Sequence, residues 1–99
     1  MEKIKFAHFR TYDMQYNVGN LGGITVAYQK IDEGKFRVAY AHCHPKDNFC
    51  KATGRIKAAG RLKSSEQSQV VEYTSEKEFL KDEREIQYPY KLVTDIRGK

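Results

Sequence analysis

Polar and apolar positions alternate in Lys3-Ile4-Lys5-Phe6-Ala7-His8-Phe9. In an extended chain successive side chains point to opposite faces. Ile4, Phe6 and His8 therefore share one face, and Ala7 and Phe9 the other. Residues 12–20 lack this period, and Gly19, Gly22 and Gly23 mark a loop or tight turn. Residues 24–31 and 36–43 are rich in β-branched and aromatic side chains and flank Asp32-Glu33-Gly34-Lys35. Two such runs around a turn whose glycine accepts positive φ predict a β-hairpin over 24–43. Ile24, Val26 and Tyr28 point one way, and Thr25, Ala27 and Gln29 the other; Val38, Tyr40 and His42 alternate with Arg37, Ala39 and Ala41.

Past the hairpin the period changes. Pro45 suits a first helical position, where its missing N–H is no loss, and Asp47 suits a first turn, where a carboxylate meets the positive end of the helix dipole. A helix is expected over about 45–62, with Phe49, Ala52, Ile56 and Ala59 as its apolar stripe. Gly54 and Gly60 each weaken it by ~1 kcal/mol relative to alanine. Close approach of a strand or a partner backbone would explain a glycine there, and Gly54, which lies off the stripe, is the better candidate. Residues 64–69 form a polar linker, 69–74 a strand, and Ser75 with Glu78 has the spacing of a capping box. A second helix over about 76–86 would turn Phe79, Leu80 and Ile86 inward, and Tyr88-Pro89-Tyr90 would end it. Residues 91–96 read as a last edge strand or a loose tail. The fold class is α+β, one domain over 1–99. A small antiparallel sheet of three to four strands, including the hairpin, is covered on one face by the 45–62 helix, with the second helix at an edge or end.

The composition fits this picture. Of 99 residues, 39% are hydrophobic and 31% charged, and seven Tyr and five Phe can anchor one core. No apolar run approaches the ~20 residues that span a bilayer, and the charged N-terminus predicts no signal peptide. No membrane partner is expected. Two cysteines, Cys43 and Cys50, make no disulfide framework, which predicts a reducing, cytoplasmic setting.

Charge adds the sharpest feature. Residues 51–65 carry Lys51, Arg55, Lys57, Arg61 and Lys63 and no acid, whereas residues 1–50 sum to +2 and residues 66–99 to −2. The formal excess of +5 thus equals the charge of this one short segment. These five side chains are the candidate partner-binding residues, for an acidic protein surface or for nucleic-acid phosphates. They can equally form the solvated face of an amphipathic helix, although the usual i, i+4 acid–base pairing is missing from it.

Other constellations are weaker. His42, Cys43, His44 and Cys50, with Asp47 nearby, offer zinc-type ligands. Their spacing matches no finger or ribbon, no second pair follows, and no metal or cofactor is expected. A thiolate at Cys43 or Cys50 beside a histidine would need an orienting group and an oxyanion hole, and neither is legible, so no catalysis is expected. Gly19-Asn20-Leu21-Gly22-Gly23 precedes a strand rather than a helix, which excludes a phosphate-binding or dinucleotide loop. Tyr28 and Tyr40 on paired strands could stack bases, but the strand signature of sheet-type RNA binders is missing and ordinary sheet packing is favoured.

The stretch 36–62, FRVAYAHCHPKDNFCKATGRIKAAGRL, resembles a pattern in short bacteriophage accessory proteins. In that pattern a strand ends in Cys, then Pro-Lys-Asp-x-Phe, then Gly-Arg-x-x-Ala-x-Gly-Arg-Leu. Here these are Cys43, Pro45-Lys46-Asp47, Phe49, Gly54-Arg55, Ala58 and Gly60-Arg61-Leu62. A serine usually precedes the proline and caps the helix; His44 stands there instead. The resemblance implies a phage accessory gene whose product binds and inhibits or redirects a host protein or nucleoprotein complex in the host cytoplasm. An exposed edge strand would further allow a homodimer.

Overall fold

The hairpin forms as its pattern requires. In the computed structural model, which describes residues 3–10, 21–88 and 90–93, β2 (Leu21–Asp32) and β3 (Lys35–Asn48) pair antiparallel. Asp32 lies opposite Lys35, and Gly34 takes φ 71° in the turn. The Asp32 carboxylate accepts from the Glu33 N–H at 2.8 Å and steadies that turn. β1 (Lys5–Arg10) adds to β2, and the short β4 (Gln69–Glu72) adds to β3. β5 (Lys91–Val93) adds to β1, giving a five-stranded antiparallel sheet in the order β4-β3-β2-β1-β5. The expected three or four strands thus become five, because the edge strand foreseen at 91–96 forms over its first residues. The stretch 12–20, Pro89 and residues 94–96 lie outside the described residues.

The helices are α1 (Lys51–Leu62) and α2 (Glu76–Ile86). They cover opposite faces of the sheet, so α2 is not confined to an edge or end. The period of two divides the strands cleanly. Ala7, Phe9, Ile24, Val26, Tyr28, Phe36 and Val38 form one core layer with Phe79 of α2. Phe79 stacks on Phe36 at 5.7 Å between ring centroids, and Tyr28 and Tyr73 flank it at 4.9 and 5.5 Å. Burying one such ring contributes about 2–3 kcal/mol. Ala27, Ala39 and Ala41 form the other layer, with Ala58 and Leu62 of α1 and with Ile4 and Phe6 at its margin.

The two layers differ in size, and that difference decides how α1 lies. Its sheet face carries alanines and Thr25, so the helix comes close and turns small residues inward. The buried positions of α1 are Ala58 and Leu62, with Gly54 seated against Thr25. The expected inward stripe is therefore corrected: Ile56 is 74% exposed, Ala52 is exposed, and Phe49 lies outside the helix. On α2, Phe79 and Leu80 turn inward as expected, but Ile86 is 63% exposed and Glu83 is buried instead.

The start of α1 is a second correction. The strand continues to Asn48 and the helix begins at Lys51, with Cys50 at its cap making no side-chain cap hydrogen bond. Cys43 pairs with Gly23 and Asn48 with Leu21, so residues 44–47 bulge out opposite Gly22 alone. A proline without an N–H is tolerated in a bulge. Gly22 holds φ 71° there, where an added Cβ would come within 3.2 Å of Pro45 Cα. The second helix starts as its sequence predicts: Ser75 Oγ accepts from the Glu78 N–H at 3.2 Å.

Candidate interaction surface

At about 100° per residue, the reversed orientation of α1 redistributes its basic side chains. Ala52, Thr53, Ile56 and Gly60 lie on the outer face and are exposed. Lys57 is exposed on one flank of this strip, Lys51 and Arg55 are half-buried along the other, and Lys63 is exposed just past the helix end. Arg61 turns toward the sheet, where its Nη1 donates to the Tyr40 carbonyl at 2.8 Å. Four of the five predicted residues thus frame an exposed apolar strip, and the fifth is engaged by the backbone of β3. Sequence reasoning missed the strip because it assigned Ile56 to the core. The alanine-rich strand positions 27, 39 and 41 carried the signal, since their small side chains let the helix come close and favour small helix residues at the contact.

The corner between β3 and α1 encloses a cavity of about 370 Å³ lined by Thr25, His42, Cys43, Cys50, Thr53 and Lys57, among others. The Cys43 thiol points at the carbonyls of Asp47 and Asn48, 3.5 Å from each. His44 Nδ1 accepts from the Lys46 N–H at 3.1 Å, which leaves the proton of a neutral ring on Nε2. The Cys50 thiol is exposed, and its pKa is lowered from the ordinary value of 9.0. The main cause is the hydroxyl of Thr53, followed by the backbone N–H of Thr53; the N–H of Ala52 and the charge of Arg55 add to it. Among the described residues, no group of three or more His, Cys, Asp or Glu is placed to hold a metal ion.

Phe49, expected on the helix, instead plugs the end of the sheet beside this corner. The Arg10 guanidinium lies 4.7 Å over its ring, and His8 meets it edge-on at 5.6 Å. His8 is fully buried, with Nδ1 3.0 Å from Thr25 Oγ1.

The tyrosines of the hairpin face α2. Tyr28 is buried and its hydroxyl donates to Glu76 at 3.2 Å, while Tyr40 donates to Glu83 at 2.6 Å. Both rings are covered by a helix, as the packing alternative required, so this face presents no base-stacking platform. Tyr12 and Tyr16 lie outside the described residues. No helix among the described residues is long and apolar enough to cross a membrane. No protein-family model, curated protein or solved structure matches the chain.

Proposed function

We propose that the protein is a non-enzymatic accessory protein of the phage type that docks on an acidic surface of a host protein or nucleoprotein complex. Docking uses the outer face of α1 and inhibits or redirects that partner in the host cytoplasm. The observation that carries this reading is Ile56, 74% exposed on a helix without a single acidic side chain. An apolar centre within a charged rim is the anatomy of a protein interface. Direct contact with phosphates, by contrast, needs the cations and gives the isoleucine no role. In this reading Lys57 and Lys63 steer the encounter, Lys51 and Arg55 border the contact, and Ile56 anchors it.

The test is capture of partners from bacterial lysate, with and without nuclease, by wild type, Ile56→Ser and Lys57→Glu/Lys63→Glu. A protein retained after nuclease treatment and lost with Ile56→Ser supports docking. Nucleic acid alone, insensitive to Ile56→Ser and lost with the double charge reversal, establishes direct nucleic-acid binding instead. A partner retained by all variants removes α1 from the contact.

A further inference from the structure

The cavity at the β3–α1 corner is lined by both of the chain's cysteines, which the docking surface does not use. We propose that Cys43 and Cys50 form an oxidisable thiol pair that closes to an intramolecular disulfide in response to a hydroperoxide. Cys50 is the attacking thiol and Cys43 the resolving one.

Three features assign these roles. Cys50 is exposed, so a small oxidant reaches its sulfur from solvent. Its thiol also has a lowered pKa, which raises the thiolate fraction near neutral pH. Cys43 is half-buried, and its thiol donates toward the carbonyls of Asp47 and Asn48, which keep it turned toward the segment leading to Cys50. The intervening residues 44–48 are all exposed, so the bulge can adjust without disturbing the core. The low-pKa exposed thiol beside a second cysteine is the general arrangement of a redox-sensing pair.

The chemistry balances with hydrogen peroxide as the oxidant. The Cys50 thiolate attacks one peroxide oxygen, the O–O bond breaks, and hydroxide leaves; the product is the Cys50 sulfenic acid. The Cys43 sulfur then attacks the Cys50 sulfur. The S–O bond breaks, the thiol proton joins the departing oxygen, and water leaves. One peroxide and two thiols become one disulfide and two waters, with hydroxide taking up the proton that Cys50 first released. The new bond would tie the entry of α1 to the end of β3.

The test treats the reduced full-length chain with one equivalent of hydrogen peroxide at neutral pH and follows intact mass. The expected product is monomeric and lighter by two hydrogens. Trypsin cuts after Arg37, Lys46 and Lys51, so the linked product is peptide 38–46 joined to peptide 47–51. Cys50→Ser is expected to abolish the mass loss. Cys43→Ser is expected to leave a sulfenic acid on Cys50 that a dimedone-type reagent traps. Adding urea before the oxidant is expected to slow closure, because the fold supplies the activated thiol. Separate peptides, links between two chains, or closure equally fast in urea would overturn the proposal.

Discussion

No methyl group fits between Gly54 and Thr25. A Cβ on Gly54 would collide with Thr25 Oγ1 and stand 3.1 Å from Thr25 Cβ, whereas a Cβ on Gly60 would meet nothing within 4 Å. The same substitution at two positions of α1 should therefore have opposite signs. Gly60→Ala gains helix propensity and is expected to stabilise by ~1 kcal/mol. At Gly54 the same gain is offset by overpacking against a buried strand, and a net loss of about 1–2 kcal/mol is expected. Denaturant midpoints of the two variants measure this, and a Gly54→Ala as stable as Gly60→Ala would refute the close approach.

Alkaline stability should depend on Tyr28 and Tyr40. Both hydroxyls have their pKa raised well above the ordinary value of 10.0. Burial is the main cause for each, followed by the charge of Glu76 for Tyr28 and the hydrogen bond to Glu83 for Tyr40. The unfolded chain releases these protons near pH 10 while the folded chain keeps them. Their contribution is therefore complete below that pH and is lost as pH rises above it. Urea unfolding at about pH 8 and about pH 11 should show a fall in stability that is smaller in Tyr28→Phe/Tyr40→Phe than in wild type. An equal fall would show that other groups set the alkaline limit.

Tyr40 also matters at neutral pH. Glu83 is 2% exposed and accepts from the Tyr40 hydroxyl at Oε1 and from Gln87 Nε2, 3.1 Å away, at Oε2. Tyr40→Phe removes one of these donors and leaves a buried carboxylate short of a partner, an expected cost of about 1–3 kcal/mol. Adding Glu83→Gln should recover part of that loss in a double-mutant cycle. Strict additivity would mean that the two side chains do not interact.

Ser75→Ala is expected to cost ~1 kcal/mol by leaving the Glu78 N–H without its cap. Ile56→Ser and Lys57→Glu, on exposed positions of α1, should each change stability by no more than about 0.5 kcal/mol. Thermal unfolding distinguishes these cases, and a large loss with Ile56→Ser would return that side chain to the core.

Local patterns carried much of the fold in the sequence. Period-two alternation placed Ile4, Phe6 and His8 apart from Ala7 and Phe9, and Asp32 to Lys35 fixed the hairpin. Ser75 and the run after it located α2, because its cap is made by neighbours in the chain. The orientation of α1 was hidden, since it depends on a match between Gly54 and Ala58 on the helix and Thr25, Ala27, Ala39 and Ala41 on distant strands. Hydrophobicity alone favoured Ile56, while volume favoured glycine and alanine, and against this sheet volume won. Pro45 misled for a related reason: it suits a helix start and a bulge equally, and only the pairing of Asn48 with Leu21 decides between them. The basic cluster was legible as charge, but its division between solvent and sheet was not.

Arg61 gives that division a consequence. The Gly34 carbonyl accepts from the Tyr73 N–H at 3.0 Å, so even-numbered positions around the start of β3 aim their backbone groups toward β4. Tyr40 shares that parity but lies beyond the last β4 pairing, Val38 with Gln69. Its carbonyl would stand as a vacant place on a strand edge, the template on which a second chain can zip, and a guanidinium fills it. With that carbonyl occupied, the edge offers an incoming strand one acceptor fewer. Arg61→Glu is expected to show itself first as concentration-dependent self-association in sedimentation, before any change in partner binding.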